Sequence, residues 1–171
     1  MFSKRMLNEL NGQLQYEFYS EHIYLAMAGY CHSQDLDGFA NFFKVQAEEE
    51  RFHAMKFFDY INQMDGRAVV FGIEEPQNEY NSLLDVFKKA FEHEKSVTKR
   101  IYTLTDIAMD ERDHATISFL KWFIDEQVEE ESTLNGVIKK LERIKDDSSA
   151  LYMLDTELAA RTFTPPTPNQ Q

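Results

Sequence analysis

Residues 50 to 53 of the chain read Glu-Arg-Phe-His. On a helix, a carboxylate and an imidazole three residues apart stand one turn from each other on the same face and can reach a single cation. Their surroundings make the pair unusual. Phe39, Phe42 and Phe43 upstream and Phe57, Ile61 and Met64 downstream define an apolar stripe, and steps of three and four from Phe43 land on Gln46, Glu50, His53 and Phe57. A face that should be hydrophobic throughout carries ionisable groups at its middle.

Three other segments repeat the pattern. Leu10, Leu14, Tyr24 and Ala28 set a stripe that includes Glu17 and Glu21. Leu84, Phe87, Phe91, Ile101 and Ala108 set one that includes Glu94, and the stripe from Ile117 to Leu141 runs through Gln127, with Glu130 three residues on. Glu17 and Glu50 lie 33 residues apart, as do Glu94 and Gln127, and a shift of 77 carries Glu17, Glu50 and His53 onto Glu94, Gln127 and Glu130. A lone helical Glu is by default a surface residue. Four stripes interrupted near their midpoints predict instead one shared buried layer. Buried carboxylates without counter-charge cost several kcal/mol each, or protonate. No Lys or Arg occupies these stripes at this level, so a metal is the simplest neutralising partner. Oxygen and imidazole ligands without thiolate suit iron or manganese, with zinc as a competitor. The four charges of Glu17, Glu50, Glu94 and Glu130 match two divalent cations, which makes a redox-active dinuclear site the preferred expectation.

The elements that must position this layer are helices. Six Gly and four Pro in 171 residues, three of the Pro within the last seven, leave few breakers, and no strand-like alternation is present. Caps and periodicity predict helices over about 3–33, 35–65, 82–111, 113–144 and 148–161, with a long connection over 67–80 and a disordered Thr/Pro tail over 162–171. Four helices of about thirty residues, roughly 45 Å each, suit a four-helix bundle. Short loops make the first two, and the last two, antiparallel neighbours, and the long connection can cross the length of the bundle. The expected fold class is all-α: a four-helix bundle with one long crossover and a short fifth helix, built as one domain.

A net charge of −12 argues against nucleic acid as a partner. The single Cys31 excludes a disulfide framework and any cysteine-rich metal site. The longest apolar run, near Ile23–Tyr30, is far below the roughly 20 residues that a membrane-spanning helix needs, and a cytoplasmic protein is expected.

Glu17, Glu50-Arg51-Phe52-His53 and Glu94, with the segments QAEEERFHAMKFFDYI, FEHEKSVTKRIY and FLKWFIDEQVEEE, resemble the non-haem ferritins of bacteria and archaea, within the ferritin-like di-iron carboxylate superfamily. The likeness extends to Arg161. One departure from the symmetrical pattern is informative: Gln127-Val128-Glu129-Glu130 stands where a second Glu-x-x-His would be. Bacterioferritin would carry that second motif and a haem-ligating Met after the bridging Glu; Arg51 occupies that place, so no haem is expected. One cysteine cannot build the iron site of a rubrerythrin, and the Dps-type cages lack the fifth helix.

The resemblance implies a homo-oligomeric hollow cage of twenty-four subunits that takes up Fe(II), oxidises it with dioxygen or peroxide, and stores ferric oxyhydroxide. It implies that Glu17, Glu50 and His53 hold a first iron and that Glu50 bridges to a second iron held by Glu94 and Glu130, with Gln127 a weaker or outer participant. That second site lacks an imidazole and should be open and labile. Tyr24 matches a family tyrosine beside the centre, as an electron donor or as an orienting hydroxyl. Glu49, Glu126 and Glu129, sharing Glu130, match a third iron site, against the alternative of a solvated acidic face. Trp122 is expected to pack, and His22, His32, His93 and His114 to lie at the surface or in packing. The rival class is a di-iron oxidase or oxygenase with a retained cofactor and an organic substrate, which would need an apolar pocket beside the irons.

Overall fold

The structure, a computed structural model, describes residues 2–166. Five helices account for the regular elements among them: α1 (Lys4–Ser33), α2 (Asp37–Gln63), α3 (Leu83–Asp110), α4 (His114–Ile144) and α5 (Ser148–Ala159). α1 packs on α2 and α3 on α4, α1 touches α3, and α5 lies mainly against α2. This is a four-helix bundle with a short appended helix. Residues 161–166 have no regular secondary structure, and the end of the expected tail, 167–171, lies outside the described residues.

The helices begin where side chains can satisfy free amide groups. Ser3 Oγ accepts from the Met6 amide, Ser82 Oγ from Asp85, Asp113 from Thr116, and Asp147 from Ser149 and Ala150. α2 is the exception, because its N-cap, Leu36, has no capping side chain. Its acceptor comes from another helix: Asp155 Oδ1 of α5 takes the Phe39 amide at 3.0 Å. Gly38 permits the approach, since a Cβ there would stand 1.7 Å from the Asp155 carbonyl oxygen. At the far end of α2 Asp65 turns left-handed, with φ 57°. The Gly66 amide then closes on Ile61 O at 2.9 Å, and the glycine is required for space, because a Cβ would meet that same oxygen and Leu7.

The crossover between α2 and α3 runs along α1. Asn11 holds Arg67 O and the Val69 amide, Gln15 donates to Gly72 O, and Tyr80 packs edge-on against Tyr30. The connection therefore travels from the N-terminal to the C-terminal end of α1, which makes α3 parallel to α2.

The core is split in two. One apolar cluster gathers Tyr24, Phe39, Phe42, Phe43, Phe87, Leu134 and their neighbours; the other gathers Leu10, Leu14, Phe57, Ile101, Leu120 and Phe123. Between them lies the polar layer. Each side of it is close-packed with aromatic rings, including Phe43 on Phe87 at 4.7 Å and Phe57 on Phe123 at 4.4 Å. The layer is thus sealed above and below by hydrocarbon, and its charges cannot be screened by bulk water.

Candidate metal centre

Glu17, Glu50, His53, Glu94, Gln127 and Glu130 are all buried, and Gln13 and Gln46 join them. Helix phase causes this, because each residue continues its helix's apolar stripe. Glu17, Glu50 and His53 each offer a ligand atom within 4.8 Å of the others, and His53, Glu126 and Glu130 form a second such group that shares the imidazole. Glu94 completes neither group.

The carboxylates differ in which oxygens are free. Glu94 is held on both: Tyr24 OH donates to Oε1, and Gln127 Nε2 donates to Oε2 at 2.9 Å. Glu130 Oε2 accepts from Gln46 at 2.7 Å. Glu17 Oε1 accepts from Gln13 at 2.8 Å. By contrast Glu17 Oε2, both oxygens of Glu50, and Gln46 Oε1 are buried without a hydrogen-bond partner. Buried acceptors are ordinarily satisfied. An orphan on Glu17 and two on the central Glu50 fit one cation held terminally by Glu17 and a second held across Glu50. The hydrogen bonds on Glu94 do not exclude a cation there, since each carboxylate oxygen has two lone pairs.

Electrostatics without a cation are strained in the same direction. Desolvation and the nearby Glu94 charge raise Glu50 well above the usual carboxylate range. Desolvation raises Glu94 to about 7, against the hydrogen bonds from Tyr24 and Gln127. Glu130 rises to about 8 through desolvation and the charges of Glu94 and Glu49. For His53, desolvation favours the neutral ring but is outweighed by Glu50 and Glu126, so its pKa rises well above 6.5. The imidazole sits 3.5 Å from Glu50 and 3.7 Å from Glu126. The metal-free centre therefore stores protons that a divalent cation would displace. Tyr24 is also raised, by burial and then by Glu94, which keeps its phenol a donor.

The three outer acidic residues line one cavity but differ in their partners. Glu126 faces His53, while Glu129 is exposed. Glu49 is paired at 2.9 Å with Arg161, whose guanidinium also lies over the Phe42 ring. Glu49, Glu126, Glu129, His53 and Trp122 line a cavity of about 360 Å³, closed on one side by Thr162, Phe163 and Thr164. Phe163 packs on Phe52. Trp122 stands edge-on to His53 at 5.5 Å with Lys56 over its indole at 4.3 Å. Glu21 pairs with Arg51 at the margin of the layer, at 3.7 Å.

Of the remaining histidines, His93 is partly buried, stacked on Tyr16 with Ser20 at 2.7 Å, and desolvation lowers its pKa to about 4. His22 and His32 are exposed and hydrogen-bonded locally.

Sequence reasoning did not assign Gln13, Arg100 or Arg161 to this region. Gln13 carried a weak signal, as a polar residue four before Glu17. The two arginines carried none, because their partners are 87 and 112 residues away.

A family model described as a ferritin-like domain matches residues 7–144. The chain is 49% identical over 163 residues to a bacterial non-heme ferritin of Staphylococcus epidermidis, covering 95% of this chain and 98% of that one. A bacterial non-heme ferritin of Staphylococcus aureus is 48% identical over the same share. Among solved structures, a ferritin of Archaeoglobus fulgidus engineered into a closed form superposes with a TM-score of 0.95 at 45% identity, over 96% of this chain and all of that one. An open-pore ferritin of the same archaeon superposes with a TM-score of 0.94 at 44% identity, over 95% of this chain.

Proposed function

We propose that this chain, which belongs to the ferritin-like family, is an iron-storage protein and ferroxidase: it binds Fe(II) as substrate at the buried layer, oxidises it, and passes Fe(III) to a mineral held inside a homo-oligomeric cage. The observation that carries this reading is the set of orphaned oxygens on Glu17 and Glu50 inside a fourfold carboxylate layer.

The assignment of roles follows from which atoms are free. Glu17 Oε2 and His53 hold one Fe(II), and Glu50 bridges to a second held by Glu130 and Glu94. Gln127 and Tyr24 orient Glu94 through the hydrogen bonds that set its two oxygens, with Gln127 a weaker or outer participant at the second iron. Binding displaces protons from His53, Glu50, Glu94 and Glu130. Each Fe(II) gives up one electron to dioxygen or peroxide, and the apolar clusters on either side exclude bulk water while this happens. Glu126, Glu129 and Glu49 line the cavity next to His53, where a third cation would sit between the centre and the space beyond. Three carboxylates and His53 share that cavity with the rings of Phe52, Trp122 and Phe163, and the carboxylates suit a cation in transit.

The proposal extends to a cage of twenty-four subunits in the cytoplasm, with no nucleic-acid or membrane partner and no haem. Arg51, at the place of a haem-ligating Met in bacterioferritins, is largely exposed, beside Glu21. Among the described residues no helix is long and apolar enough to cross a membrane.

Aerobic titration of the metal-free protein with Fe(II) tests the reading. Soluble iron should co-migrate with protein far beyond about two per chain, and Glu50→Ala, which removes a ligand itself, should slow oxidation by more than the about 10- to 100-fold that loss of a ligand's orienting partner costs. Saturation at about two irons per chain would refute storage and favour a retained di-iron cofactor.

A further inference from the structure

The oxygen of Glu17 turned away from the cation position is held by a chain of two residues that reaches the surface. Gln13 is fully buried on α1, one turn before Glu17, and its Nε2 donates to Glu17 Oε1 at 2.8 Å. Its Oε1 accepts from Arg100 Nε on α3, also at 2.8 Å. The Arg100 guanidinium lies over the Tyr16 ring at 4.3 Å, and Arg100 lines two surface clefts.

The chemistry of the three groups fixes the direction of the chain. An arginine can only donate and an ionised carboxylate can only accept, so they can be joined through one side chain only if that side chain does both. The Gln13 amide does, and Arg100 forces its oxygen outward and its NH2 group toward Glu17. Without Arg100, rotation of the amide by half a turn would set its oxygen against the carboxylate. The arrangement has no counterpart in the other half of the bundle. The shift of 77 residues that relates Glu17 to Glu94 places Ala90 where Gln13 stands, and Glu94 is held by Tyr24 and Gln127 instead.

We propose that Arg100 and Gln13 are positioning residues that bias Glu17 toward one-oxygen ligation: they fix the carboxylate's orientation by anchoring Oε1 to a braced amide and leave Oε2 as the oxygen without a hydrogen bond. They also bring a positive charge to within one amide of the buried layer. This inference rests on the reading of Glu17 as a ligand. The pair distinguishes the two halves of the centre before any iron arrives. The half containing Glu17 offers a pre-set single oxygen together with an imidazole, whereas the half containing Glu94 must share its oxygens with existing hydrogen bonds.

Co(II), which binds the same ligand types and reports its coordination by visible absorption, tests this on the assembled full-length protein under anaerobic conditions. Gln13→Met preserves volume and removes the donor; Arg100→Met keeps the stem on Tyr16 and removes the fixing group. Both should weaken the tighter Co(II) site by about 10- to 100-fold, the usual effect of losing a partner that orients a ligand. Absorption per bound Co(II) should also fall, because Glu17 can now ligate through both oxygens and raise the coordination number. Arg100→Lys, which still donates to Gln13 Oε1, should recover most of the affinity and the spectrum, a pattern that a purely packing role would not produce. Correctly assembled variants of wild-type affinity and spectrum would overturn the proposal. If Glu17→Ala itself left the wild-type Co(II) site intact, the underlying reading of Glu17 would be at fault instead.

Discussion

Loading the metal-free centre with two divalent cations should release protons in a number that depends steeply on pH. Burial raises Glu94 to about 7, with Glu17 adding to it, and raises Glu130 to about 8, with Glu94 and Glu49 adding to it. At about pH 6.5 the two together hold about 1.7 protons, and at about pH 8.5 about 0.3, from simple titration with those values. A pair of cations ionises both, so the pair alone should account for a fall of about 1.4 in protons released between these conditions. Linkage converts this to affinity: over the same interval the pair weakens overall binding at the acid end by about 100-fold. Glu50 and His53, both raised well above their ordinary values, can only add to release at the acid end. Anaerobic calorimetry with Zn(II) in buffers of different ionisation enthalpy reads the proton count directly. A release unchanged across this range, or affinities that agree within about threefold, would show that these carboxylates are not the displaced groups and would refute the charge argument for the centre. The same shifts imply a sign for stability. Their folded values lie above the unfolded ones, so the stability these groups contribute is complete below about pH 4.5 and is lost as pH rises through about 7 and 8. Metal should therefore stabilise the protein most at alkaline pH.

Two further outcomes follow from contacts between α2 and the chain from α5 onward. Gly38→Ala drives a methyl into the Asp155 carbonyl; since backbone must move, α5 should loosen from α2 at a cost of about 1–3 kcal/mol, seen as lost hydrogen-exchange protection at Leu154 and Leu158, and unaltered protection would refute the tight approach. Arg161→Gln removes the guanidinium paired with Glu49, and charge-assisted hydrogen bonds of about 1.5–3 kcal/mol imply that a third cation per chain should bind about 10- to 100-fold more tightly by Zn(II) titration; unchanged third-site affinity would show that Arg161 and the cation do not compete for Glu49.

Much of this was legible along the chain because helical periodicity reports which face a residue occupies. The stripes through Phe43, Glu50 and Phe57, and through Leu14, Glu17 and Tyr24, announce four helices whose buried faces turn polar at one level. With α1–α2 and α3–α4 joined by short loops, a single bundle satisfies them all. The distance of 33 residues between Glu17 and Glu50, repeated from Glu94 to Gln127, carries the register of the layer as well. The i, i+3 spacing of Glu50 and His53 likewise carries its own geometry.

Periodicity names a face but not the atom that meets it, and that limit marks what the tertiary structure decided. The absence of Lys and Arg from the stripes correctly marked an uncompensated layer, yet Arg100 reaches its edge from outside the α3 stripe through the Gln13 amide. Whether a carboxylate oxygen is engaged or free depends on rotamers set by neighbours on other helices, as with Tyr24 and Gln127 on Glu94, or Gln46 on Glu130. Folding brings Arg161 to Glu49 from beyond α5, and that pairing has no local signature. The cap that Asp155 lends to α2 is invisible in the same way, because its donor is 116 residues away. Local sequence thus determined the helices, their buried faces and the level of the charged layer. Packing between helices, where long side chains choose among several rotamers, determined which oxygens were left for a metal.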